Sequence, residues 1–212
     1  MARSPQTVPL TVGFDLDMTL IDSRPGIKAA YDALSAETGV YVDSDLVVSR
    51  LGPPVEEELA HWFPAEEVGA TADRYRALYP AHAVHGTDAL PGAREAIAAV
   101  HRHGGRAIVV TAKYQPNAEL HVDHLGLGPD VVIGSLWAEG KASALRAHGA
   151  RVYVGDHVGD VRGARAAGAH AVAVVTGPCA GEELSAAGAD TVLPDLTAFP
   201  DWLDAHLAGL AA

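Results

Sequence analysis

Asp15 and Asp17 have a spacing that asks for a chemical explanation. They close a short apolar run, Val8 to Phe14, which is broken by Pro9 and carries Thr11 and Gly13. That run predicts a buried strand, where charge is tolerated only if something compensates it. Alternate residues of an extended strand share a face, so the two carboxylates project together, with Cα atoms roughly 6.5–7 Å apart. Such a pair invites a divalent cation, a shared proton, or both. The competing reading is a strand end followed by a polar turn, since Asp and Thr are common turn residues. A calcium loop does not fit. Its sixth and twelfth positions, counted from Asp15, hold Leu20 and Gly26 instead of Gly and Glu.

The chain around this pair has 212 residues, 49% of them apolar and 20% charged, enough for one well-buried domain or a core with a modest insertion. A net charge of −12 argues against general binding to nucleic acid or to an anionic membrane surface, while leaving room for a small anionic substrate held by a few cations. Cys179 is the single cysteine, which excludes an internal disulfide and a multi-cysteine zinc site; it reads as a small, at least partly buried loop residue. No apolar run reaches membrane-spanning length, and the N-terminal stretch with Arg3, Pro5 and Thr7 lacks a signal-peptide pattern. A cytoplasmic protein, monomer or homodimer, is expected.

The elements that must position the pair follow from periodicity. Asp22-Ser23-Arg24-Pro25 predicts a helix start, Ile27, Tyr31, Leu34 and Thr38 form one face, and Gly39 ends it. Further helices are expected over Asp43 to about Arg50, Val55 to Trp62 and Pro64 to Tyr79, with a break at Leu51 to Pro54. Residues 22 to about 88 therefore read as helices without a clear strand. From Leu90 onward the rhythm alternates. Short apolar strands near 106–111, 130–134, 151–155, 169–175 and 191–193 are separated by helices. This is the pattern of a parallel sheet covered on both faces. The helical block interrupts it just after the first strand, at the edge where open parallel sheets bind ligands.

Other strand ends carry polar groups too. The second strand ends at Thr111, followed by Ala112 and Lys113; the fourth ends in Gly155-Asp156-His157-Val158-Gly159-Asp160. Lys141 opens the helix after the third, where its charge opposes the helix dipole unless an anion is close. The chain has only three lysines, Lys28, Lys113 and Lys141. His157 reads as an exposed loop residue.

This constellation resembles the haloacid dehalogenase superfamily, in its phosphatase branch with a helical cap, which includes phosphoglycolate phosphatase-like and β-phosphoglucomutase-like proteins. Phe14 to Ser23 is similar to the first motif, Thr111 to the second, Lys141 to the third, and Gly155-Asp156 with Asp160 to the fourth. The resemblance covers nearly the whole chain. It implies a Rossmann-like α/β core over residues 1–21 and 89–212 and a small inserted all-helical cap over 22–88. It implies a phosphatase in which Asp15 is the nucleophile, forming an aspartyl-phosphate, and Asp17 the general acid and base. Mg²⁺ would be held by Asp15, Asp156 and the backbone carbonyl of Asp17, with Asp160 as an outer or water-mediated ligand. Thr111 and Lys141 would hold the phosphate of a small phosphorylated metabolite. Relatives that cleave carbon–halogen bonds lack the second aspartate, so Asp17 argues for phosphoryl chemistry. Position 18 is Met where many relatives have Gly.

By the same resemblance, Arg50 with Gly52-Pro53-Pro54 falls where relatives place a specificity loop, and Arg50 and Arg24 are candidate cap contacts to substrate. A sugar-phosphate mutase of the β-phosphoglucomutase kind is the nearest rival, and a non-catalytic phosphate-binding protein on the same fold a more distant one.

Overall fold

In the computed structural model, which describes residues 10–211, β1 (Thr11–Phe14) is the strand around which the rest is laid. A two-residue strand β2 (Ile21–Asp22) follows, then four helices, α1 (Arg24–Thr38), α2 (Ser44–Val48), α3 (Val55–Leu59) and α4 (Ala65–His82). The chain returns through β3 (Asp88–Ala89) and alternates: α5 (Ala93–Arg102), β4 (Arg106–Val110), α6 (Gln115–Leu125), β5 (Val131–Ile133), α7 (Lys141–Ala147), β6 (Val152–Gly155), α8 (Val158–Ala167), β7 (His170–Val174), α9 (Gly181–Ala186), β8 (Thr191–Leu193) and α10 (Phe199–Ala211). Val8 and Pro9 of the expected first strand, and the Arg3 to Thr7 stretch, lie outside the described residues. Among the described residues no helix is long and apolar enough to cross a membrane.

Six strands form one parallel sheet in the order β5-β4-β1-β6-β7-β8. Phe14 is level with Val109 on one side and Val154 on the other. The strand order reverses about β1, and such a reversal opens a crevice at the carboxyl ends of the strands. Asp15, Thr111 and Asp156 all follow directly on strands that meet there.

Strand side chains alternate between two cores, as a period of two requires. Val12, Phe14, Val109, Val152 and Val154 face one core with Ile97, Val100, Phe199 and Leu203. Ile108, Val110, Tyr153 and Ala171 face the other with Leu145, Val161 and Leu184. Gly13 belongs on the second face because a Cβ there would come within 2.8 Å of both Leu145 and Tyr153.

The helical block has its own apolar cluster, including Ile27, Tyr31, Leu34, Phe63, Tyr75 and Tyr79. The sequence reading needs two corrections here. The last helix does not stop at Tyr79 but continues through Pro80 to His82, although the proline has no N–H to give the helix. The block is also bounded by strand, since β2 and β3 pair antiparallel (Ile21 with Ala89, Asp22 with Asp88) where the chain leaves and re-enters the sheet region. Two-residue strands are too short to leave a periodic signal.

Candidate active site

Asp15 directly follows β1, its backbone N–H still donating to the Val154 carbonyl at 2.8 Å. The chain then wraps around the Leu16 carbonyl, which accepts from the N–H groups of Thr19, Leu20 and Ile21. Met18 takes a left-handed conformation, φ 58°, to make that wrap. Leu16 points into the core, fully buried, while Asp15 and Asp17 both line a cavity of about 250 Å³ between the sheet edge and the helical block. Thr111, Ala112 and Lys113 form another wall, and Gly52, Pro53 and Pro54 of the bend before α3 reach over it.

Behind Asp15 lies a buried charge cluster. Lys141 Nζ donates to Asp15 Oδ1 at 2.8 Å, to Asp160 Oδ1 at 2.6 Å and to the Tyr153 hydroxyl at 2.9 Å. The lysine is fully buried. Burial disfavours its charge, yet the two carboxylates more than offset this and raise its pKa. Carboxylate oxygens of Asp15, Asp156 and Asp160 lie within 4.8 Å of one another. Asp156 is aimed by Thr19, whose hydroxyl donates to Oδ1 at 2.7 Å. Gly177 backs it closely: a Cβ there would fall 1.7 Å from Asp156 Oδ2. Asp160 sits in the first turn of α8 and accepts from the His157 N–H at 3.1 Å, while His157 Nδ1 accepts from the Gly159 N–H. His157 is thus a part-buried helix cap and not the exposed loop residue expected.

These carboxylates are poorly compensated. Burial first, then Asp160 and Asp17, push Asp15 up to about 7 against the pull of Lys141. Burial with Asp160 and Asp15 drives Asp156 well above the usual carboxylate range. Three buried acidic groups share one ammonium, and hard oxygen donors so placed suit a small divalent cation.

A family model described as haloacid dehalogenase-like hydrolase matches residues 12–165, and a second, HAD-hydrolase-like model matches residues 140–199. The chain belongs to the haloacid dehalogenase-like hydrolases. It is 31% identical over 187 residues to the tyrosine-protein kinase PtkA of Mycobacterium tuberculosis, covering 82% of this chain but only 64% of that protein's length. It is 30% identical over 221 residues to the phosphoglycolate phosphatase of Rhodospirillum rubrum, covering 92% of this chain and 91% of that one. In fold it is similar to a predicted phosphatase from Clostridium acetobutylicum, with a TM-score of 0.80, 22% identity, and 93% and 99% of the two chains covered.

Against the positions that the hydrolase motifs imply, Asp15, Asp17 and Thr111 share the cavity, with Asp156, Asp160 and Lys141 packed behind or beside them. Arg50 and Arg24 do not reach it. Arg50 is held by Glu58 at 2.7 Å in a separate groove with His157 and Cys179, and Arg24 lies half-exposed on Asp22. The cavity cations are others. Arg76 of α4 pairs with Glu56 and Asp73, stacks 5.0 Å above the Tyr114 ring, and keeps a buried Nε without a partner. Lys113 Nζ sits 2.9 Å from Asp17 Oδ1, close enough for an ion pair though not aligned as a hydrogen bond. Arg76 gave no signal in the sequence beyond neighbouring the buried face of its helix. Lys113 did, standing two residues past a strand end in a lysine-poor chain.

Proposed function

We propose that this protein is a Mg²⁺-dependent phosphatase that hydrolyses a small phosphate monoester through an aspartyl-phosphate on Asp15. The observation that carries the reading is the convergence on one cavity of Asp15, Asp17 and Thr111, with the Asp156, Asp160 and Lys141 cluster against the nucleophile. The similarity to phosphoglycolate phosphatases supports the same reaction class. In this reading residues 22–88 are a cap over a core of 1–21 and 89–212.

Asp15 Oδ attacks phosphorus, and the bond to the leaving alcohol breaks as Asp17 gives that oxygen a proton. Water then attacks the aspartyl-phosphate, Asp17 takes its proton, and inorganic phosphate leaves with Asp15 restored. Thr111 donates its hydroxyl to a phosphoryl oxygen, and Lys141 keeps Asp15 aimed and its charge neutralised. Mg²⁺, held by Asp15, Asp156 and the Asp17 carbonyl with Asp160 alongside, would screen the repulsion between phosphate and carboxylate and stabilise charge on phosphorus. The Gly52 to Pro54 bend and Val55 cover one side of the site.

The cavity volume, with Arg76 and Lys113 in its wall, favours a leaving group of a few heavy atoms that carries its own anion, such as the carboxylate of phosphoglycolate. A panel of phosphate esters with Mg²⁺, read as released phosphate, tests the reading, with hexose 1-phosphate included to detect isomerisation. Small esters are expected to turn over, and Asp15→Asn to abolish it. Full activity in Asp15→Asn would sink the mechanism, and an isomerised sugar phosphate in place of free phosphate would favour a mutase.

A further inference from the structure

Beyond the groups that touch substrate, a chain of buried polar side chains runs from Asp17 into the helical block. Lys113 Nζ, 2.9 Å from Asp17 Oδ1, donates to the Tyr79 hydroxyl at 2.6 Å and lies 4.6 Å from the centre of the Tyr79 ring. The Tyr79 hydroxyl is 2.9 Å from His121 Nε2. Tyr79 and His121 are fully buried, and the Lys113 side chain is 7% exposed. The four residues come from three places: the loop after β1, the segment after β4 together with α6, and α4 of the helical block.

The donor inventory orients the chain. An ammonium only donates, so the Tyr79 oxygen accepts from Lys113 and its own proton points to His121 Nε2. Burial, aided by Lys113, pushes His121 down to about 4, so the ring is neutral and free to accept. A buried ammonium keeps its partners because losing one leaves uncompensated charge. Lys113 is therefore pinned between one carboxylate and one phenol, and Asp17 is pinned by Lys113.

We infer that Tyr79 is a positioning residue for proton transfer: through Lys113 it holds the Asp17 carboxylate where the leaving oxygen departs, so that the helical block takes part in the chemistry as well as in covering the site. This rests on the reading of Asp17 as the general acid. Tyr79 itself touches no reacting atom. When the substrate's bond to phosphorus breaks, an alkoxide needs a proton from Asp17, whereas a stable carboxylate anion does not.

The test compares two compounds of nearly equal size, the ester ethyl phosphate and the acyl phosphate anhydride acetyl phosphate, in the 212-residue chain with Mg²⁺. The quantity read is the ratio of their kcat/KM values, which reports the steps up to phosphoryl transfer and cancels losses of binding or folded fraction common to both. Tyr79→Phe, which removes one oxygen and keeps the ring, is expected to lower the ethyl-to-acetyl ratio about ten-fold or more. Lys113→Met is expected to lower it at least as far. A ratio unchanged in both variants, with both compounds slowed equally or not at all, overturns the inference and leaves the phosphatase reading standing. Failure of the wild-type protein to turn over these two compounds and every ester of the panel overturns both.

Discussion

Lys141 Nζ and Asp15 Oδ1 meet at 2.8 Å in a part of the protein where the lysine has no access to solvent. The same ammonium serves Asp160, so its removal leaves two carboxylates facing each other without a cation. Breaking a buried pair by deleting one partner typically costs about 3–5 kcal/mol. Lys141→Met is therefore expected to destabilise the protein by about that amount in urea unfolding without Mg²⁺. Its phosphatase activity should fall by at least 100-fold, since Asp15, the proposed nucleophile, loses its aim. A stability within 1 kcal/mol of wild type, on the scale set by the same principle, would contradict the compensation argument.

The carboxylates also set a pH dependence. Asp15 is raised by burial from 3.8 to about 7, and Asp156 moves the same way. A carboxyl whose folded pKa is raised binds its proton more tightly folded than unfolded. The stability it contributes is complete below about 3.8 and is lost as pH climbs through about 7. For Asp15 this amounts to at most about 4 kcal/mol. Metal-free protein is thus expected to gain more from Mg²⁺ at pH 8 than at pH 5, because the cation replaces the missing protons. Thermal melts in EDTA and in excess Mg²⁺ at both pH values check this. Equal gains at the two pH values would remove Asp15 and Asp156 as the source.

How much of this was legible beforehand depends on how far each residue's role is local. Asp15, Thr111 and Asp156 announce themselves because a charge or hydroxyl at the end of an apolar strand breaks a short-range pattern, and Lys141 because its charge at a helix start opposes the helix dipole. The alternation of strand and helix likewise shows a parallel sheet, with the helical block as its interruption. The partners of Arg50 and Arg76 are not local. Glu58, one turn into the next helix, captures Arg50, and Glu56 and Tyr114 from separate elements hold Arg76 at the cavity. Tyr79 shows in sequence only as an apolar position in helical phase, since nothing nearby reveals that its hydroxyl meets a lysine 34 residues away. The β2–β3 ribbon escaped for the simpler reason of its length.

Met18 carries a conformation that glycine adopts freely. Its φ of 58° costs a non-glycine residue about 1–2 kcal/mol. The side chain is 3% exposed, however, and deleting a buried methionine costs about 2–5 kcal/mol. Burial wins, so Met18→Gly is expected to destabilise the protein by about 1–3 kcal/mol despite relieving the backbone. The Thr176 hydroxyl bond to the Met18 carbonyl, 2.6 Å, survives because it uses main chain. Chemical denaturation of the two proteins decides it, and a more stable glycine variant would show that the strain outweighs the packing.

Arg76 and Arg50 make the sharpest contrast for substrate recognition, since both belong to the helical block near the bend and only one faces the cavity. Arg76 lines the cavity with its guanidinium braced by Tyr114 and paired with Glu56 and Asp73, so a substrate carboxylate that takes over from those partners gains a charged hydrogen bond without having to order a loose side chain. Such a bond is worth about 1.5–3 kcal/mol, or roughly 10- to 100-fold in binding. Arg76→Met is expected to raise KM for phosphoglycolate by that factor while leaving ethyl phosphate, which has no second anion, within about three-fold of wild type on the same scale. Arg50→Met loses only a part-exposed pair with Glu58, which typically contributes about 0–1 kcal/mol to stability. It is expected to discriminate between the two esters as wild type does. If Arg50→Met raises KM for phosphoglycolate and Arg76→Met does not, the anion is read from the groove beside His157 and the cap must reseat over the site before substrate binds.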